Sequence, residues 1–373
     1  MLRHLEQQGG GIKVYTNNVL PRLLALGRSH TFVLMYQNPA LLGTYARFPN
    51  VEEVAIRCPG TVIWDQIGVP LVARGRRLDL IFNPKMTVPL LTKSKTVFIA
   101  HGSETLVIPQ HFGRFDILYR KFFRPLYLRH AAACVAVSNT VRADLVKYLA
   151  ADPRKLFAVA NGFDPELFRP IQDRARLEAL RGQYQLPEHF ILWVGQIEAR
   201  KNVARLLQAF AQIMHDLPHS LVIAGARRRT ADQELRDIER LGLSERVHFP
   251  GWIPQSDLPA LYCLADLFAF PSLYEGFGIP LIESMACGCP IVSASTGSPP
   301  EVLDGAGYLV DPLDVASIAA AMKTVLTDTA LRQGMIAKGL VRAKEFGWDK
   351  TAQQLLTVLE QVGECAAGAL ELH

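Results

Sequence analysis

Short apolar and β-branched runs alternate with stretches of helical periodicity along nearly the whole chain. That alternation is the signature of parallel sheets with crossover helices. In the first half the strand candidates are HTFVLMY (30–36), LDLIFNP (78–84), KTVFIAHG (95–102), AACVAVSN (132–139) and LFAVANG (156–162). In the second half they are HFILWVG (189–195), SLVIAGA (220–226), RVHFPGW (246–252), DLFAFPS (266–272), CPIVSAS (289–295) and GYLVD (307–311). Two sheets of five or six strands suit these runs better than one of eleven. A length of 373 residues likewise exceeds one ordinary core and suggests two domains.

Between the halves, residues 163–189 are polar, carry Pro165, Pro170 and Pro187, and read as an interdomain linker. Helices are predicted where periodicity is strong. Val203, Leu206, Leu207, Phe210, Ile213 and Met214 form one apolar stripe, and helical patterns recur at 314–346 and 349–362. With 49% hydrophobic and 20% charged residues, the composition is that of a soluble globular protein. No run approaches the roughly 18 apolar residues of a membrane span, and the start lacks the apolar core of a secretory signal. A cytoplasmic location is the expectation. Cys58, Cys134, Cys263, Cys287, Cys289 and Cys365 are scattered through mostly apolar segments and read as structural thiols; Cys287 and Cys289 alone are close, without a zinc-type second pair.

In open parallel sheets ligands bind beyond the carboxyl ends of the strands, so residues there matter most. After FILWVG, Arg200 and Lys201 stand just before the amphipathic helix, where unpaired amides and two cations suit a diphosphate. A lone Arg-Lys pair is otherwise an ordinary solvated turn. After DLFAFPS comes Tyr274, Glu275, Gly276, Phe277 and Gly278, leading into IPLIESMA. Glycines at such a turn let backbone approach a ligand closely. Glu283 lies about a turn inside this helix; its carboxylate suits vicinal ribose hydroxyls, although an exposed Glu on an amphipathic helix is the common alternative.

EGFGIPLIE is an E-x7-E pattern. Together with VGQIEARKN, VANGFDPELF, PGWIPQSDLPALY, GSPPEVLDGAGYLVDP and the early GGGIKVY, it resembles glycosyltransferase family 4, and the resemblance spans almost the entire chain in the expected order. It implies an α/β GT-B fold, two Rossmann-like domains with parallel sheets facing an interdomain cleft. Residues 1–165 would bind acceptor, 166–346 would bind nucleotide sugar, and 347–373 would return as a helix toward the first domain. It further implies that Glu283 binds the donor ribose, while Glu275 faces the transferred sugar with the amides near Gly276, Phe277 and Gly278. Arg200 and Lys201 would neutralise the leaving diphosphate, and His101 would approach the sugar from the first domain. Gly251 and Trp252 would lie near the nucleobase, and Gly10 and Gly11 would complete the donor site.

The implied activity is a retaining hexosyl transfer, of mannose or glucose, from a nucleotide diphosphate sugar to a saccharide or lipid-linked acceptor in cell-surface polysaccharide or glycolipid synthesis. A sugar-nucleotide epimerase and a non-catalytic nucleotide-sugar binder stand as alternatives. Retention can proceed through a carboxylate nucleophile or by front-face attack; the family favours the second. No D-x-D pair is present at a suitable position, so neither a metal nor another cofactor is expected. Family members begin with a β-strand before the glycine loop, whereas eight residues precede Gly9 here, so that strand is expected to be missing or poorly encoded. Finally, GRFDILYRKFFRPLYLRH (113–130) interleaves Arg114, Arg120, Lys121, Arg124 and Arg129 with aromatics. An anionic membrane surface, on the inner face of the membrane, and a core helix with a solvated edge are equally compatible with it; nucleic acid is not, for want of a recognised module.

Overall fold

The computed structural model describes residues 1–2, 11–225 and 232–364. The chain forms two compact units. One comprises Met1–Leu106, Phe112–Gly162 and the stretch from Trp348 onward; the other comprises Val107–His111 and Phe163–Gly347.

In the first unit β1 (Phe32–Tyr36) pairs in parallel with β2 (Val51–Ala55), and β3 (Leu80–Asn83), β4 (Lys95–Ala100), β5 (Ala133–Ala136) and β6 (Leu156–Ala158) form a parallel sheet in that order. β2 was not expected from the sequence, because VEEVA carries two adjacent carboxylates. Both have work at the sheet edge. Glu53 accepts from the Tyr36 hydroxyl (2.8 Å) and from the amides of Gly43 (2.6 Å) and Tyr45 (3.1 Å), while Glu52 pairs with Arg76. Among the described residues no strand joins the sheet of β1 to that of β3. Backbone of the first two residues reaches both, the Leu2 amide donating to Met35 O (2.8 Å) and the Met1 amino group to Phe82 O (2.9 Å).

Helix Trp348–Glu364 turns Trp348, Thr351, Ala352, Leu355, Leu356 and Val358 inward, a stripe at helical spacing. It packs on helix Gly11–Leu26, which buries Tyr15, Val19, Leu20, Leu23 and Leu24. Asp349 meets Arg22 at 2.8 Å, and the Thr351 hydroxyl donates to Ala160 O (2.8 Å).

The second unit holds a six-stranded parallel sheet of β7 (Phe190–Val194), β8 (Ser220–Ala224), β9 (Val247–Gly251), β10 (Leu267–Phe270), β11 (Ile291–Ala294) and β12 (Tyr308–Val310). Their order across the sheet is β12-β11-β10-β7-β8-β9. All six coincide with the expected apolar runs. The stretch read as a linker instead contains helix Arg174–Gln183, started by the Asp173 side chain on the Arg176 amide. Leu180 is the residue it buries, which is why its polarity looks like that of a connector. The pattern over 314–346 is two helices, Val315–Thr327 and Thr329–Ala343, broken where the Asp328 side chain accepts from the Leu331 amide. Helix Val203–Ile213 buries Val203, Leu206, Leu207, Ala209, Phe210 and Ile213, and these join side chains from β7, β8 and β10 in one core.

Phe210 sits at the centre of that stripe with 1% exposure, so Phe210→Ala should destabilise the protein by about 3–5 kcal/mol in urea unfolding. A loss under about 1 kcal/mol, the size of an ordinary surface substitution's effect, would mean that this ring does not anchor the helix.

Candidate active site

The strand order places the carboxyl ends of β9, β8, β7 and β10 side by side, and three backbone hydrogen bonds tie the loops that leave them. The Gly195 amide donates to Ala224 O (3.0 Å), the Gly225 amide to Gly251 O (2.8 Å) and the Leu273 amide to Arg200 O (2.8 Å). Beyond β7 the chain makes a short 3-10 turn, Ala199–Lys201, and Asn202 then adopts a left-handed conformation at φ +61° before the next helix. Asn202 is buried, and its Nδ2 donates to Pro271 O (2.9 Å) and Pro312 O (2.7 Å), locking the turn to the loops after β10 and β12.

This turn aims both cations at one carboxylate. Lys201 Nζ donates to Glu275 Oε1 (2.6 Å) and Arg200 Nη1 to Glu275 Oε2 (3.2 Å), while Arg200 Nε reaches Glu198 Oε2 (3.1 Å). The Lys201 ammonium also lies 4.7 Å from the centre of the Phe270 ring. Burial alone pushes the Glu275 carboxyl up, but Lys201 and Arg200 outweigh it and hold the group below its ordinary value. From behind, the Glu275 carbonyl accepts both the amide and the hydroxyl of Ser298, each at 3.1 Å. Gly297 makes that approach possible: at φ +71° a Cβ there would stand 2.9 Å from Glu275 O and 3.0 Å from its N.

Gly278, at φ +88°, opens helix Ile279–Ala286, and Phe277 before it is buried edge-on against Phe346. Glu283 points inward from this helix and is 7% exposed, which removes the exposed-surface alternative. The Tyr262 hydroxyl donates to its Oε2 at 3.3 Å. Burial pushes the Glu283 carboxyl up to about 7, and the tyrosine hydrogen bond only partly opposes this. Gly251 and the 70% exposed Trp252 lie at the end of β9, beside the β8 loop.

The remaining expected residues belong to the first unit. His101 follows β4, is half-buried, and has its Nε2 2.8 Å from Pro84 O; desolvation lowers its pKa to about 4. Its ring meets Tyr15 edge-on, with centres 5.1 Å apart. Gly11 begins helix Gly11–Leu26, and Gly10 lies outside the described residues. Thus Arg200, Lys201 and Glu275 are in direct contact, and Glu283 lies on the following helix with Tyr262. Asn202, Tyr262, Gly297 and Ser298 were not singled out from the sequence. All four fall within quoted segments, Asn202 in VGQIEARKN, Tyr262 in PGWIPQSDLPALY, and Gly297 and Ser298 in GSPPEVLDGAGYLVDP, so their places, though not their contacts, were visible.

Two family models match in tandem. One, Glycosyltransferase Family 4, covers residues 9–167; the other, Glycosyl transferases group 1, covers residues 178–341. The chain belongs to glycosyltransferase family 4. It is 37% identical over 177 residues to O-antigen chain mannosyltransferase B of Escherichia coli, 47% of this chain and 46% of that protein. It is 30% identical over 287 residues to serotype-specific mannosyltransferase WbdA of Escherichia coli, 74% of this chain and 35% of that protein. A D-inositol 3-phosphate glycosyltransferase of Segniliparus rotundus is 31% identical over 303 residues, 80% of this chain and 62% of that one. The matches therefore span less than two thirds of each of these relatives. Among solved structures, sucrose-phosphate synthase from Thermosynechococcus elongatus superposes with a TM-score of 0.78 at 22% identity, covering 96% of this chain and 94% of that one. WaaG, a glycosyltransferase involved in lipopolysaccharide biosynthesis, gives 0.72 at 17% identity, covering 94% and 96%. The fold is GT-B, with a parallel α/β architecture in both units of this family 4 chain.

The raised pKa of Glu283 makes stability pH-dependent. Between an unfolded value near 4.5 and the folded value of about 7, the folded state keeps a proton that the unfolded state has lost, so stability falls as pH rises through this window. The loss should approach about 3 kcal/mol by pH 8. Glu283→Gln should abolish it, and the two proteins' unfolding free energies should diverge between pH 5 and 8 in favour of the variant. Parallel pH profiles would show that Glu283 is not buried in this way.

Proposed function

We propose that the chain is a retaining, metal-independent hexosyltransferase that moves a hexosyl group from a nucleotide diphosphate sugar to a saccharide or lipid-linked acceptor. The observation that carries this reading is the contact of Lys201 and Arg200 with Glu275 beside a helix start at the carboxyl edge of the sheet. A diphosphate leaves readily only when its growing charge is met by preorganised donors, and two cations with unpaired helix amides provide them. As diphosphate oxygens draw Arg200 and Lys201 toward themselves, the Glu275 carboxylate is released to face the sugar. It then opposes the positive charge that develops at the anomeric carbon during front-face attack. Glu283 is assigned to the ribose hydroxyls, the Gly276–Gly278 turn and Gly251–Trp252 to the rest of the donor, and His101 to the transferred sugar. The names of the two Escherichia coli relatives favour mannose as the hexose and cell-surface polysaccharide synthesis as the setting.

Because Glu275 acts as charge develops, Glu275→Gln should lower kcat while leaving affinity for free nucleoside diphosphate nearly unchanged. Glu283→Gln should weaken donor and nucleotide alike, by roughly tenfold to a hundredfold, in proportion to a charge-assisted hydrogen bond of about 1.5–3 kcal/mol. Initial rates in excess chelator, calorimetry with the nucleotide and the anomeric configuration of the product test the scheme together. An inverted product, or equal loss of nucleotide binding in both variants, would overturn it.

The same reading includes docking on an anionic membrane surface through helix Arg114–His130; among the described residues no helix is long and apolar enough to cross a membrane. Arg114, Leu118, Lys121, Phe122 and Arg129 recur at helical spacing and are all exposed, Leu118 at 67% and Phe122 at 64%. Arg124, grouped with them on the sequence, is 6% exposed and points inward, and Arg120 is half-buried beside Glu104 at 3.3 Å. The face therefore combines insertable apolar side chains with cations. Leu118→Ser, Lys121→Glu and Phe122→Ser together should abolish sedimentation with phosphatidylglycerol vesicles while nucleotide binding survives. Equal sedimentation of the variant and its parent would remove this surface from the proposal.

A further inference from the structure

At the opposite edge of the second sheet, three side chains converge that the transfer reaction does not use. His189 immediately precedes β7, His219 precedes β8 and Asp266 precedes β10, so the adjacency of these parallel strands brings all three together. Backbone bonds fix their spacing: the Asp266 amide donates to Phe190 O and the Ser220 amide to His189 O, each at 3.0 Å. His189 Nδ1 lies 3.2 Å from Asp266 Oδ2 and His219 Nε2 lies 3.5 Å from the same oxygen. The three ligand atoms are mutually within 4.8 Å. We propose that His189, His219 and Asp266 form a binding site for a first-row divalent cation of the zinc type, with a structural role.

The donor set is the one such cations favour, two imidazoles and a carboxylate, leaving a further position for water. Bonds of about 2.0–2.1 Å in a tetrahedron place neighbouring ligand atoms about 3.3 Å apart, close to both distances from Asp266. The two histidine ligand atoms lie within 4.8 Å of each other, and the His189 side chain, 49% exposed, opens the site to solvent. Asp266 is oriented from behind by the Phe190 amide, which donates to its Oδ2 at 3.1 Å, as the outer partners of metal-bound carboxylates do. Nearby Arg246 and Arg332 are turned to carbonyls, Leu217 O at 2.8 Å and Leu326 O at 3.2 Å, so their charge opposes a cation without occupying its place. A cation here would staple the starts of β7, β8 and β10. The site is separated from the catalytic edge by the length of a strand, roughly 16 Å for five residues. The inference is accordingly independent of the proposed activity.

The test is titration of the full chain, free of any polyhistidine tag and with its cysteines alkylated, with zinc chloride against a chromogenic chelator. Thermal unfolding with zinc and with excess chelator would be followed in parallel. The expected result is one zinc per chain and a higher Tm with zinc, with nucleoside diphosphate affinity unchanged by the chelator. His189→Gln, at a half-exposed position that tolerates the change, should weaken zinc binding by more than about a hundredfold, beyond the loss typical of an outer partner. His219→Gln should do the same, with visible absorption of the cobalt-substituted protein reporting loss of a nitrogen ligand. Absence of stoichiometric zinc, or zinc bound equally well by His189→Gln and the parent, would overturn the proposal.

Discussion

A carboxylate with 7% exposure stays ionised inside a protein only when opposite charge is brought to it, and Glu275 receives two cations from 74 and 75 positions earlier in the chain. That meeting depends on sheet order. β7 and β10 are neighbours although β8 and β9 intervene in sequence, so the turn after one strand faces the loop after the other. The further ties serve the same contact: Asn202 holds the loops after β10 and β12, the Leu273 amide holds Arg200 O, and Ser298 holds the Glu275 carbonyl. Removing one partner from a buried pair leaves the other charge stranded, at a cost of about 3–5 kcal/mol. The cluster thus ties the integrity of the carboxyl edge to its buried charges.

The two carboxylates eight positions apart experience opposite fields. Glu275 is buried with cations and held low; Glu283 is buried with a phenol and pushed up to about 7. Environments that drive the pKa values of neighbouring acids apart also divide their work. At neutral pH Glu275 is a fixed negative charge, whereas Glu283 is poised between forms. A partner offering two hydroxyl donors stabilises the ionised form of Glu283, so diol binding and loss of its proton are linked.

Much of this was legible because parallel strands buried on both faces appear as continuous apolar runs. LFAF and IVSA could hardly be anything else, and the Val203–Ile213 stripe announced its helix. VEEVA failed for the converse reason: its glutamates serve an edge and a loop, and carboxylates in a strand resemble surface. The polarity of residues 174–183 misled in the same way, since one buried leucine suffices to dock that helix. The positions of Glu275, Glu283, Arg200 and Lys201 were visible as a spaced pattern, but their contacts were not, because strand order rather than sequence spacing decides which loops meet. His189, His219 and Asp266 show the limit most clearly. Each is an isolated polar residue at the start of a strand, and only the adjacency of β8, β7 and β10 makes them a group.

The same directional rule operates in the first unit. His101 follows β4 at its carboxyl end, and Ser138 follows β5, where its hydroxyl accepts from the Val141 amide and starts helix Asn139–Leu149. For His101, desolvation lowers the pKa to about 4, so at neutral pH the neutral ring carries a single proton. Pro84 O can only accept, and at 2.8 Å from Nε2 it requires that nitrogen to be the donor. The tautomer is thereby fixed and Nδ1 remains as the acceptor. A neutral ring in this form offers a lone pair rather than a charge. Such a nitrogen accepts a hydrogen bond from a hydroxyl donor and cannot neutralise an anion.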